Sequence, residues 1–254
     1  MTPYYDDGDG HVIYHADCRE VLPNLDVVDH VMTDPPYSED THAGARTFTE
    51  TSNRGPKLLV NFMSINPSVI NEILSQIKAR RWGLLTVDWQ HVLPLKQLPP
   101  KGWKFVRHGI WVKPNPMPQL TGDRPGSGWE AIAILHSDLS SHMQWNGGGI
   151  PAVWVHNKIT AKFHPTGKPE PLLQEWVKKF TDPGETILDP FAGSCTTLVA
   201  AKQFGRRAIG IEIEEKYCEI GAKRLQQNYL FTGDQLKVKA DKSSLFDENA
   251  DHSK

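Results

Sequence analysis

Asp34-Pro35-Pro36-Tyr37 stands directly after an apolar-rich run over residues 27–33. Two consecutive prolines lock two φ angles and remove two backbone donors, so a strand through that run must end in a stiff, extended turn. The turn fixes one carboxylate, one bare carbonyl and one aromatic ring. Two acceptors beside a stacking ring suit an amino group on a flat heterocycle, because both N–H groups can be held in plane while the ring face is gripped. A nucleobase presented by its exocyclic amine has that shape. A proline-rich surface turn with an incidental tyrosine is the plain alternative.

A second constellation lies late in the chain. Thr186-Ile187-Leu188 reads as a strand that opens into Asp189-Pro190-Phe191-Ala192-Gly193-Ser194-Cys195-Thr196-Thr197, followed by an apolar helix through Ala201. A further strand over residues 208–211 ends at Glu212, 23 residues after Asp189. Strand, small-residue turn, helix and acid-terminated strand make a nucleotide-binding βαβ unit, with Gly193 allowing close backbone approach and Glu212 where such units bond ribose hydroxyls. The three-glycine fingerprint of a pyrophosphate site is absent. Asp189 instead puts an anion where a cationic group can sit, which favours a nucleoside bearing an amino acid or sulfonium over a dinucleotide. S-adenosylmethionine has all of these features.

The elements around these motifs alternate. Residues 11–15 read as a short strand ending near Asp17, at what would be the ligand edge of an α/β sheet, and residues 1–10 read as loose. Residues 66–81 carry Val69, Ile70, Ile73, Leu74 and Ile77 at helical spacing, residues 83–88 read as a strand, and another falls within 103–113. Residues 38–57 form a long loop suited to a lid. Residues 114–149 read as an irregular insertion interrupted by a strand-like 131–135, after which 169–180 and 213–227 read as amphipathic helices. Such alternation predicts a mostly parallel, doubly wound sheet in one domain over residues 1–231, with a disordered polar tail over 232–254.

At 254 residues and 39% hydrophobic content the chain can bury a normal core. The net charge of −2 says nothing for nucleic acid, but nine Lys and Arg stand against three Asp and Glu over residues 96–168. That asymmetry suits a polyanion-facing surface, with Lys113, Arg124, Lys158 and Lys162 as candidate phosphate contacts and Trp129, Trp145 and Trp154 as candidate stacking groups. The three cysteines show no metal spacing and no nucleophile context, and no run is long and apolar enough to span a bilayer. A reduced, cytoplasmic protein is expected, associated with the nucleoid through DNA.

The stretch 34–37, the motif His164-Pro165-Thr166-Gly167-Lys168-Pro169 and the stretch 189–197 together resemble the DNA amino-methyltransferases that methylate adenine N6 or cytosine N4. Their order, catalytic motif first and cofactor motif last, resembles the circularly permuted beta class over residues 11–228. The resemblance implies a class I S-adenosylmethionine-dependent methyltransferase fold: a Rossmann-like sheet of seven strands with one antiparallel. It implies a catalytic half over 11–113, a small loop-rich target-recognition insertion over about 114–163, and a cofactor half over 164–231. Asp34 and the Pro35 carbonyl, with Pro36 stiffening the turn, would hold the target amine, and Tyr37 would stack on a flipped base. Asp189, Phe191, Ala192 and Gly193 would line the methionine side, with Ser194, Thr196 and Thr197 in the same loop. Glu212 would take the ribose, Asp17 the adenine amine, and His164, Thr166 and Lys168 the cofactor's polar end. Double-stranded DNA is the implied partner, and relatives of the class are often dimers. Aspartate at position 34 favours adenine, since serine is the commoner first residue in cytosine-N4 members. Glycine is usual in the family where this chain has Cys195, and that departure is the only support for a rival reading as a non-catalytic, cofactor- and DNA-binding regulatory subunit.

Overall fold

The computed structural model describes residues 1–36, 67–116, 122–158 and 167–227. Nine strands form one sheet: β1 (Tyr5–Asp6), β2 (His11–His15), β3 (His30–Thr33), β4 (Trp82–Val87), β5 (Trp103–Val112), β6 (Trp129–Ser137), β7 (Val153–Val155), β8 (Thr186–Asp189) and β9 (Arg207–Glu212). Their spatial order is β1-β2-β9-β8-β3-β4-β6-β5-β7. Strands β2, β9, β8, β3 and β4 are mutually parallel, β6 runs antiparallel to both β4 and β5, β7 pairs parallel with β5, and β1 pairs antiparallel with β2. The sheet thus has nine strands rather than seven, and two of them, β1 and β6, oppose the rest.

The two extra strands are short edge pairings that local patterning does not announce. Residues 1–10 are not loose throughout: the chain folds back through Gly8 and Gly10, both at positive φ, so that Tyr5–Asp6 lies against β2. Three residues of β7 cover the end of β5. A larger difference concerns 114–149. The strand-like segment there is β6, nine residues long and hydrogen-bonded on both sides, so the sheet itself passes through the segment expected to be an insertion.

Alternation in the strands explains the layers. Met32, Leu84, Ile132, Ile134 and Ile187 point to one face, where α4 (Glu170–Phe180), α5 (Thr196–Gln203) and α6 (Glu215–Leu225) bring Leu172, Trp176, Leu198 and Leu225. Val31, Leu85, Ala131, Ala133 and Leu188 point to the other, covered by α1 (Cys18–Val21), α2 (Pro67–Gln76) and α3 (Trp89–Gln97) through Val21, Ile70, Leu74 and Leu95. The sequence pattern hides α3, because Pro94 sits inside it and removes one intrahelical donor. Strands β8 and β9 are the last in the chain yet lie between β2 and β3, so the two constellations singled out in the sequence become neighbours.

Candidate active site

Five adjacent parallel strands end at one edge of the sheet, and each delivers an acid there. Asp17 follows β2, Glu212 closes β9, Asp189 closes β8, Asp34 follows β3 and Asp88 follows β4. Between β8 and β3 the winding reverses, since β8 leads to β9 on one side and β3 to β4 on the other. The carboxyl ends of strands at such a reversal form the crevice in which α/β proteins bind ligands.

Asp34 is held from two sides. Its Oδ1 accepts a short hydrogen bond from the Thr86 hydroxyl of β4, and its Oδ2 accepts from Lys168 Nζ at 2.7 Å. Lys168 Nζ also lies 3.2 Å from Glu130 Oε2 on β6, and Glu130 Oε1 accepts from Lys113 Nζ at 2.5 Å. Burial raises the Asp34 carboxyl above its ordinary value, Lys168 pulls it back, and Glu130 pushes it up. Burial also weakens the charged form of Lys168, but Asp34 and Glu130 more than offset that, and its pKa stands above the usual lysine value.

Asp189 is buried, and its Oδ1 accepts from the Thr33 hydroxyl at 2.7 Å and from the Phe191 amide at 3.1 Å. Burial lifts its carboxyl from 3.8 to about 6, against opposing bonds from Thr197, Thr33 and the Phe191 amide. Among the described residues no cation pairs with it. Glu212 accepts from the amides of Gly193 and Glu214, each at 2.8 Å, so one side chain anchors the loop after β8 to the end of β9. Burial raises its pKa as well. Asp17 caps α1 and is engaged on both oxygens by Arg19, which lowers its pKa.

The loop between Asp189 and α5 explains Cys195. Its backbone is left-handed, at φ 60° and ψ 35°, the only positive φ outside glycine among the described residues. Glycine suits that conformation best, which is the physical content of the departure noted in the sequence. The thiol points away from the strand edge into the core, where a Cβ on Gly221 of α6 would lie 2.4 Å from its Sγ. Gly221 therefore makes the space that Cys195 fills. Arg224, also on α6, donates to the Ser194 carbonyl at 2.5 Å and to the Thr196 hydroxyl at 3.1 Å, tying the loop from behind.

The structure thus brings Asp34, Pro35, Pro36, Lys168, Asp189, Phe191, Ala192, Gly193, Ser194, Thr196, Thr197 and Glu212 to one edge or the loop that crosses it. Tyr37, Lys162, His164 and Thr166 lie outside the described residues. Lys168, assigned in the sequence to the cofactor's polar end, bonds Asp34. Lys113, a candidate phosphate contact in the sequence, bonds Glu130. Arg124 is exposed and paired with Asp123, and Lys158 is exposed beside Asn115, which bonds its backbone. Trp145 packs on Phe180 and Trp154 on Trp176, so only Trp129 of the three tryptophans presents an exposed ring. Thr33, Thr86, Glu130, Gly221 and Arg224 escaped sequence reasoning, since none belongs to a motif.

Residues 136–223 match the family described as DNA methylase. That match covers about a third of the chain. The type II methyltransferase M.XycI of Xanthomonas campestris pv. cyanopsidis is 30% identical over 154 residues, covering 56% of this chain and 50% of that protein. M2.DpnII of Streptococcus pneumoniae is 36% identical over 142 residues, 50% of this chain and 53% of that protein. The chain therefore spans about half the length of these two relatives. M2.LlaDCHI of Lactococcus lactis subsp. cremoris is 28% identical over 265 residues, 89% of this chain and 93% of that protein. Among solved structures, an M1.HpyAVI–SAM complex superposes with a TM-score of 0.63 at 24% identity, covering 85% of this chain and 98% of its own. The cytosine-N4-specific PvuII DNA methyltransferase gives 0.63 at 14% identity, covering 92% of each chain. These likenesses show the fold, a class I methyltransferase fold with a mixed sheet.

Proposed function

We propose that the protein transfers a methyl group from S-adenosylmethionine to the exocyclic N6 of an adenine flipped out of duplex DNA. The observation that carries this reading is the placement of the Asp34 carboxylate, fixed by Thr86 and Lys168, at the same strand edge as Asp189 and Glu212. The residues present fit the cofactor. Asp189 is a buried carboxylate without a cation partner among the described residues, which suits an ammonium or sulfonium. Glu212 spends two acceptor sites on backbone amides and retains others for ribose hydroxyls.

When bound, the cofactor supplies an electrophilic methyl group on a cationic sulfur. The chain's own residues make the amine able to receive it. An aromatic amine is a poor nucleophile because its lone pair is delocalised into the ring. Acceptors at Asp34 and the Pro35 carbonyl, drawing on the two N–H groups, favour the form in which that lone pair is available, and Asp34 faces the proton the amine sheds. Positioning and electrostatics carry the step, with no covalent intermediate on the protein. The buried cysteines agree with this: burial pushes the Cys18 thiol to about 11 and Cys218 to about 12, so neither supplies the thiolate that attack on a ring carbon would need. A base stacked in a duplex cannot reach the edge, so extrusion is required. The recognition surface comprises exposed groups within 114–158, with Arg124, Trp129 and Lys158 in it.

A cytosine-N4 target is the second reading, favoured by the fold likeness to the cytosine-N4-specific PvuII enzyme across 92% of the chain. Sequencing modified bases in DNA from cells expressing the protein separates the two and gives the site. The same readout with Asp34→Ala tests the mechanism: losing an acceptor aimed at developing charge costs about 10²-fold or more in single-turnover rate, about 2.7 kcal/mol or above. Glu130 still holds Lys168 in that variant, so cofactor affinity stays within twofold. Near wild-type methylation by Asp34→Ala refutes the role of Asp34.

A further inference from the structure

The four-charge row Lys113–Glu130–Lys168–Asp34 joins four separate parts of the chain: the loop after β5, strand β6, the segment before α4 and the turn after β3. It is well shielded, with side-chain exposures of 13%, 18%, 9% and 28% in that order. Two carboxylates and two ammonium groups leave it neutral, which is the condition under which such a cluster tolerates burial. We propose that Glu130, braced by Lys113, is a positioning residue for methyl transfer: it draws the Lys168 ammonium partly off Asp34, so that the carboxylate keeps an acceptor site for the incoming amine. The proposal rests on the methyltransferase reading above and assigns Glu130 a role that no motif gives it.

The geometry sets the competition. Lys168 has three N–H donors and two carboxylates in reach, at 2.7 Å and 3.2 Å. Asp34 already gives one oxygen to Thr86 and the other to Lys168, so its remaining acceptor strength depends on how fully the ammonium is committed to it. The charged or bonding groups that face it are Lys168, Thr86 from β4, Glu130 from β6 and, at the end of β8, Asp189. Of these only Glu130 bonds the lysine as well. Lys113, held on the far side of Glu130 and 5.0 Å over the Trp111 ring, keeps Glu130 from taking Lys168 outright.

Opposite signs make this testable. Glu130→Gln keeps the shape but leaves Lys168 to Asp34 alone. The Asp34 carboxylate is then held more tightly as the anion, so the acid limb of single-turnover methylation moves to lower pH and the plateau rate falls by at least about tenfold, with cofactor Kd within twofold. Lys113→Met frees Glu130's charge, and the acid limb moves to higher pH. A purely structural role would damage both variants without moving the limbs in opposite directions. Superimposable pH profiles, or shifts of the same sign, overturn the proposal. The carboxyl 13C titration of Asp34, assigned with Asp34→Asn, reads the same cluster without turnover. Opposite midpoint shifts there support the inference even if wild-type protein leaves DNA unmethylated, an outcome that sinks the functional reading alone; unmoved midpoints overturn the inference.

Discussion

Asp189→Asn should stabilise the fold while emptying it of function. With its pKa raised from 3.8 to about 6, the Asp189 carboxyl is paid for in stability wherever it is ionised. The sign follows from linkage: between those two values the folded state holds a proton that the unfolded state has released, so stability falls as pH rises through the window and stays low above it. The difference of about two pH units corresponds to about 3 kcal/mol at 1.36 kcal/mol per unit. Asparagine removes the charge and keeps the bonds. Both the Thr33 hydroxyl and the Phe191 amide donate to Oδ1, which an amide oxygen replaces, and the Thr197 hydroxyl that also bonds the side chain can turn to accept from the new NH2. Scanning calorimetry of the ligand-free protein should therefore show Tm higher by roughly 5–10 °C at pH 8, at a few degrees per kcal/mol for a domain of this size, and no gain at pH 4. Calorimetric titration should show cofactor affinity reduced at least about tenfold, a loss near 1.4 kcal/mol. An equal Tm change at both pH values, or a fall at pH 8, would refute the reasoning, since the carboxyl would then not be an uncompensated buried charge.

Three further outcomes are expected. Glu212→Ala should weaken cofactor binding by about 1–3 kcal/mol in calorimetry, because it removes a charged acceptor and strands the Gly193 and Glu214 amides; unchanged affinity would remove Glu212 from the site. Gly221→Ala should cost about 1–3 kcal/mol by driving a methyl group into Cys195 Sγ, and Cys195→Gly, itself tolerated with cofactor binding kept, should relieve most of that cost; additive losses in the double-mutant cycle would show that the two residues do not share the space. Lys158→Ala should flatten the dependence of DNA affinity on salt by up to about one unit of slope, and an unaltered slope would place the phosphate track elsewhere.

Motif chemistry was legible in the sequence because prolines, glycines and terminal acids declare themselves locally. The turn at Asp34, the strand into Asp189 and the acid closing β9 all follow from residue type and spacing, and the structure gathers them at one edge. What stayed hidden depends on pairings between distant parts of the chain. Glu130 looked like a stray acid in a basic stretch, yet it joins two of the lysines whose charge gave that stretch its character. Lys168 was placed by motif alone and turns out to reach Asp34, 134 positions away. Pro94 masked α3, and the nine residues of β6 read as an island in a loop because their partners on β4 and β5 cannot be seen from the segment itself. Cys195 looked like damage to a loop only because Gly221, its complement, lies on another helix.

The course of β6 has a consequence for exchanging sequence specificity between relatives. A transplant of 114–163 as one cassette would import a foreign internal strand along with the loops proposed for recognition, replacing the ladder to β4 and the carboxylate that holds Lys168. The divisible units are the stretches on either side, before Trp129 and after Ser137. Chimeras cut at those two seams keep β6 and its ladders to β4 and β5 native, with β7 the one edge strand exchanged, whereas whole-cassette chimeras should fold poorly or lose turnover even when they bind the new site.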